Sequence, residues 1–183
     1  FFFNDQNINA LFSPKIEKPA GMLDDFLLIV EANLGVNKVN YFIKRNISTT
    51  VEIGEAGEIS RILKITYTNQ SAKEEYKNYL RLIVPKGTRI KTVELEGEEI
   101  KEIEGEESQD ESTFGFLIKI PARSQKTLLA TYQLQDLISV NKGLSVYRLR
   151  ILKQPGTLED PLTITVNSPS FFTLQEVASQ GEG

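Results

Sequence analysis

Three residue types are missing from this chain of 183 residues: it has no His, no Cys and no Trp. Without His or Cys there is no imidazole general base, no Ser-His-Asp or Cys-His nucleophile, and no zinc, copper, haem or iron–sulfur site of the usual ligand types. Disulfides are excluded, so stability has to come from packing. Long apolar runs are absent as well. The run from Phe26 to Val30 stops at Glu31, far short of the roughly 18 residues that suggest a membrane span. No basic segment and no initiator Met precede Phe1-Phe2-Phe3-Asn4, a start that fits a processed product or an excised fragment rather than a signal peptide.

What is present is ordinary in bulk. Hydrophobic residues make up 40% and charged residues 25%, with 21 Lys and Arg against 25 Asp and Glu for a net charge of −4. A chain of this length can bury about 70% of its unfolded surface, enough for one core.

Alternation dominates the middle of the chain. Ile43, Ile47, Thr49, Val51 and Ile53 share one parity and Lys44, Asn46, Ser48, Thr50 and Glu52 the other, the two-residue period of a half-buried strand. After Gly54-Glu55-Ala56-Gly57 the pattern resumes with Leu63, Ile65 and Tyr67, which predicts a long β-hairpin. Tyr79 to Val84 is a short apolar run closed by Pro85-Lys86-Gly87, and Arg89 to Glu96 and Glu99 to Ile103 flank Gly97. Phe114, Phe116, Ile118 and Ile120 alternate up to Pro121, and Leu128, Ala130, Tyr132 and Leu134 alternate after Ala122-Arg123-Ser124, so a second hairpin is expected there. A third pairing is expected between Ser145–Lys153 and Leu162–Val166 across Gln154-Pro155-Gly156. Phe26 to Ala32, rich in β-branched and apolar residues, reads as a strand. Asn4 to Leu11 reads as a helix capped by Asn4 or Asp5.

Short strands punctuated by Gly and Pro point to an all-β fold, an antiparallel immunoglobulin-like β-sandwich with a short N-terminal helical arm. The expected divisions are an arm over 1–21, a sandwich domain over 22–176 and a flexible tail over 177–183.

Charge is unevenly placed. Between Glu94 and Glu111 lie ten acids and one base, Lys101, a net −9; the other 15 acids and 20 bases give +5. The simpler expectation is a protruding, solvated hairpin whose charges oppose edge-to-edge aggregation. Glu104, Glu106, Glu107 and Asp110 are the candidate cation ligands, because clustered carboxylates are hard oxygen donors, yet no Asp-x-Asp-x-Asp-Gly loop accompanies them. The strip is also a possible contact for the basic strand carrying Arg148, Arg150 and Lys153, steered by complementary charge.

Other motifs weigh little. Ser139-Val140-Asn141-Lys142 has the spacing of a serine nucleophile and lysine base but lies between strands. Asp24-Asp25 and Glu159-Asp160 are carboxylate pairs of the type used in acid/base and glycosidic chemistry, placed where acids usually only meet solvent or cap. No phosphate-binding glycine loop occurs, no cofactor is implied, and the acidic strip argues against nucleic acid. Asn46-Ile47-Ser48 and Asn69-Gln70-Ser71 are glycosylation sequons. Phe1, Phe2, Phe3 and Phe12, with Phe171-Phe172, put apolar side chains near both ends, where an arm or strand could be exchanged with a second copy.

Three blocks carry a resemblance: Asn33 to Arg45, Tyr76 to Gly87, and Lys153 to Thr157. Together, and over most of residues 3–166, they resemble the C-terminal part of an uncharacterised bacterial domain family found in predicted membrane-anchored surface proteins of uncultured ultrasmall bacteria. The resemblance implies the tail of a longer exported protein, extracytoplasmic at the cell surface, with membrane contact only through an upstream anchor. It brings no catalytic residues. The function expected is a non-catalytic structural or binding module that engages another protein or its own copies. A carbohydrate-binding module and a carboxylate-only hydrolase are the alternatives.

Overall fold

The computed structural model describes residues 22–35, 38–140, 145–154 and 160–172. Among these residues eleven strands run in chain order: β1 Met22–Asn33, β2 Ile43–Ile53, β3 Ile59–Asn69, β4 Tyr76–Pro85, β5 Arg89–Leu95, β6 Glu98–Glu99, β7 Glu104–Glu107, β8 Glu111–Ile120, β9 Ser124–Gln133, β10 Val146–Leu152 and β11 Leu162–Asn167. The single helical element among the described residues is a 3-10 turn over Val39–Phe42. The arm expected to be helical, with Phe1, Phe2, Phe3 and Phe12, lies outside the described residues, as does the tail.

The strands form a β-sandwich of two sheets, ordered β10-β1-β4-β8-β7 and β11-β2-β3-β9-β5-β6. Period-two patterning builds the core between them. On β3, Ile59, Leu63, Ile65 and Tyr67 are fully buried, and Leu80 and Leu82 of β4, Phe116 and Ile118 of β8 and Leu128 and Ala130 of β9 meet them. Each such aliphatic or Phe side chain contributes about 1.5–3 kcal/mol on burial.

The β2–β3 hairpin forms as the alternation predicts, in continuous register from Ile53↔Ile59 to Ile43↔Asn69. Its turn depends on Gly57, which has φ +88° and whose absent Cβ would stand 2.0 Å from the Ile138 carbonyl oxygen.

Three expectations are corrected. The alternating segments on either side of Pro121 are not a hairpin: β8 pairs with β4 and β7 in one sheet, and β9 with β3 and β5 in the other. The turn between them carries the chain across the sandwich, held by the Ser124 hydroxyl donating to the Pro121 carbonyl at 2.7 Å and by the Arg123 N–H donating to the Ser71 carbonyl at 3.1 Å. Likewise β10 and β11 do not pair with each other. Each lies parallel to an early strand, β10 on β1 and β11 on β2, so the otherwise antiparallel sandwich has two parallel pairs. Alternation fixes which way side chains point and is silent on which strand supplies the neighbour.

The third correction concerns the acidic strip, which is not one protruding hairpin. Its first part pairs β6 with β5 at the edge of the six-stranded sheet, and its second pairs β7 with β8 at the edge of the five-stranded sheet. Between them the chain crosses the flank of the sandwich without strand structure, and Ile100 and Ile103 pack partly against the core. The predicted strand at Glu99–Ile103 therefore ends at Glu99.

Candidate functional surfaces

Inward-facing parity places charges, as well as apolar groups, between the sheets. On β3, Arg61 stands between Ile59 and Leu63 and is wholly buried; on β1, Asp25 stands between Leu23 and Leu27 and is wholly buried too. Arg61 Nη1 lies 3.2 Å from each Asp25 carboxylate oxygen, Nη2 is 3.4 Å from the Thr49 hydroxyl, and the guanidinium sits 5.3 Å from the Tyr132 ring centroid. The Tyr147 hydroxyl of β10 donates to the same carboxylate. Burial pushes the Asp25 carboxyl above its ordinary value, and Arg61 and Tyr147 oppose that shift. Burial likewise raises the Tyr147 and Tyr132 hydroxyls, with Asp25 adding to both shifts.

A second cluster occupies the other end of the sandwich. Arg45 of β2 binds Glu31 of β1 at 2.9 Å and grips Asp160 through Nε at 3.2 Å and Nη2 at 2.5 Å. The Tyr67 and Tyr76 hydroxyls donate to the two Glu31 oxygens at 2.6 and 3.2 Å. Desolvation lowers the Arg45 guanidinium, but Glu31 and Asp160 outweigh it and the net shift is upward. Burial and the Glu31 charge raise both tyrosines. Glu31 and Asp160 share Arg45 as a partner, so neither is a free acid or base.

The sequence alternatives resolve as follows. Asp24 accepts from Arg148 at 2.8 and 2.9 Å and from Arg150 at 3.2 Å on the outer face of the five-stranded sheet, away from its neighbour Asp25. Two guanidiniums thus share this carboxylate, while Lys153 is exposed. Glu104, Glu106, Glu107 and Asp110 are all exposed, spread along β7 and the following turn. Among the described residues no group of three or more acids converges as a cation site. Glu104 accepts from the Tyr79 hydroxyl, which passes over Gly115. Ser139 lies in a loop, and Asn141 and Lys142 lie outside the described residues. Asn69 is buried, its amide donating to the Glu74 and Ile120 carbonyls at 2.8 and 3.0 Å, whereas Asn46 is exposed.

One open depression lies on the outer face of the six-stranded sheet. Lys44, Asn46 and Ser48 of β2, Lys64, Thr66 and Thr68 of β3 and Gln125 of β9 line an open trough of about 460 Å³ with Arg45 at its margin. No aromatic ring lines it. Apolar side chains are exposed elsewhere, Tyr41 and Phe42 in the 3-10 turn and Leu162 and Ile164 on β11. The buried charge clusters escaped the sequence reading, although Arg45, Arg61 and Glu31 each continue an apolar parity, which is the signal that could have found them.

No protein-family model matches the chain, and no curated protein sequence does. Among solved structures it is similar to a candidate nutrient binding protein from Legionella pneumophila, with TM-score 0.41 and 10% identity over 60% of this chain and 43% of that one. It is also similar to an M1 zinc metallopeptidase from Deinococcus radiodurans, TM-score 0.31 and 9% identity over 57% of this chain and 23% of the other. Legionella pneumophila aminopeptidase A gives TM-score 0.32 and 16% identity over 57% of this chain and 12% of its own. The chain spans less than half the length of each of these proteins.

Proposed function

We propose that this chain is a non-catalytic, immunoglobulin-like module of a bacterial surface protein, exported from the cytoplasm, that presents a binding surface to another protein or to its own copies. The observation that carries this reading is the division of charge. Among the described residues the inward acids Asp25 and Glu31 are tied to arginines, and the exposed glutamates of the acidic strip line the outermost strands β6 and β7, where they can steer a partner. The three sequence blocks that resemble the surface-protein family support the location. The test is retention of an envelope protein by the immobilised chain at low ionic strength, with release by salt. Beads that hold nothing above a denatured-chain control, together with a chain that never self-associates, would sink the proposal.

The trough favours one second reading, a carbohydrate-binding module. Its two lysines and five hydroxyl or amide side chains suit a polyhydroxylated or anionic glycan, although stacking rings are missing from its lining. Affinity electrophoresis through envelope glycans decides it: retardation abolished by Lys64→Ala supports the trough, and unchanged migration removes it.

A further inference from the structure

The two outer edges of the five-stranded sheet are complementary to each other. Among the described residues β10 has no partner beyond β1 at one edge, and β7 has none beyond β8 at the other. Unpaired edges are templates for strand addition unless something prevents it. The edges differ in sign: β7 is Glu104-Gly105-Glu106-Glu107, and β10 carries Arg148 and Arg150, followed by Lys153.

The faces agree as well. Tyr147, Leu149 and Ile151 pack on the core, which turns Arg148 and Arg150 to the outer face. On β7, Glu104 and Glu106 pair with Gly115 and Thr113 of β8, whose inward residues are Phe116 and Ile118, so both glutamates share that outer face. The two arginines and the two glutamates therefore have the same two-residue spacing on the same side of one sheet.

Strand direction is compatible without reversal. β10 is parallel to β1, and successive antiparallel pairings lead from β1 to β4, β8 and β7. β7 thus runs antiparallel to β10, and a second copy set alongside in the same orientation brings its β7 antiparallel to this β10.

We infer that copies of this chain associate head to tail, β7 of one adding to β10 of the next so that the five-stranded sheet continues from copy to copy. Glu104 and Glu106 then face Arg150 and Arg148, and Gly105, where an added Cβ would meet nothing nearer than the Phe114 ring at 4.0 Å, leaves room opposite Leu149. Asp24 occupies part of the donor capacity of the two arginines, and the second copy's carboxylates take up the remainder. Pairing β7 with β7 sets glutamate against glutamate, so the contact is heterologous and propagates as a chain of copies rather than closing as a two-fold dimer. This inference rests on the proposed binding role and names its partner.

Sedimentation and light scattering test it. At low ionic strength the weight-average mass of the wild type should rise with concentration past twice the monomer mass, and high salt should return it to the monomer, because screened edge charges no longer steer pairing. Glu106→Lys and Arg150→Glu should each stay monomeric. Mixed, they should stop at a dimer, since Glu106→Lys keeps an intact β10 and Arg150→Glu an intact β7. Should Arg150→Glu fail to match the wild-type circular dichroism, Arg150→Gln, which removes the same charge with a milder change, takes its place. A wild type that is monomeric at millimolar concentration, assembly that both variants retain, or a mixture that does not dimerise overturns the inference. Retention of an envelope protein by a strictly monomeric wild type would overturn it while leaving the binding module standing.

Discussion

Arg61 of β3 and Asp25 of β1 face each other across the sandwich as an ion pair in which neither side chain is exposed at all. They are 36 residues apart in sequence, and Thr49 and Tyr147 bring β2 and β10 to the same point. Arg61 Nε and the Tyr132 hydroxyl are buried there without a hydrogen-bond partner among the described residues, so the pair is incompletely satisfied and its desolvation is only partly offset.

Breaking the pair should cost far more than replacing it. Arg61→Met or Asp25→Leu alone leaves a buried charge uncompensated, at about 3–5 kcal/mol; the double replacement should lie within about 1 kcal/mol of the wild type or above it. Urea unfolding of the three variants measures this, and a double variant as unstable as either single one would show the pair to be structurally indispensable.

Alkaline unfolding should be governed by tyrosines. Burial raises the hydroxyls of Tyr67, Tyr76, Tyr132 and Tyr147 in the folded chain. A folded value above the unfolded one means that their contribution is complete below the unfolded pKa of about 10 and is lost as pH climbs beyond it. Stability should fall steeply above about pH 10, and tyrosinate absorbance from these residues should appear together with loss of the β circular dichroism signal. Ionisation of all four well before unfolding would contradict the burial assigned to them.

The Tyr67 hydroxyl should matter through Glu31. Tyr67→Phe removes the donor 2.6 Å from a carboxylate that Arg45 also holds, and loss of a buried hydrogen bond to a charged group costs about 1.5–3 kcal/mol. A thermal shift indistinguishable from wild type would show that Arg45 and Tyr76 alone satisfy Glu31.

The two sequons should behave differently. Asn69 is buried with both ends of its amide engaged, accepting from the Ser71 N–H at 2.9 Å and donating to two carbonyls, whereas Asn46 lies on the exposed face of β2. Folded chain secreted from a glycosylating host should carry glycan at Asn46 only, as read by peptide mass spectrometry. Asn69→Ala should destabilise by about 1–3 kcal/mol, because the Ile120 carbonyl loses its donor.

Gly57 should tolerate no side chain. Its φ of +88° and the Ile138 carbonyl 2.0 Å from where a Cβ would stand combine strain with a backbone clash. Gly57→Ala should lower the unfolding midpoint, and an unchanged midpoint would mean that the β2–β3 turn rearranges freely.

Much of the local structure was legible in the residues. The β2–β3 hairpin, the strand at Phe26–Ala32 and the inward faces of β8 and β9 all follow from alternation over several residues, and the Gly54–Gly57 break located the turn. The site was legible in pieces. Arg148, Arg150 and Lys153 stand together on one predicted basic strand in the sequence, and the strip from Glu94 to Glu111 stands out by charge. That Asp24 binds both arginines depends on β1 and β10 lying side by side, a relation between segments 124 residues apart.

By itself, the sequence determined that the chain is all β, which side of each strand is apolar, and that the charge is segregated, because period and composition are properties of neighbouring residues. Only the tertiary structure decided that β8 and β9 part company across the sandwich, that β10 and β11 return parallel to β1 and β2, and that the acidic strip closes one flank along both sheets. It also decided the fate of Arg61 and Arg45, which sit on apolar parities with no local partner. A buried charge is tolerable only where an opposite one arrives from another strand, and which strand arrives is settled by how the two sheets enclose a common core.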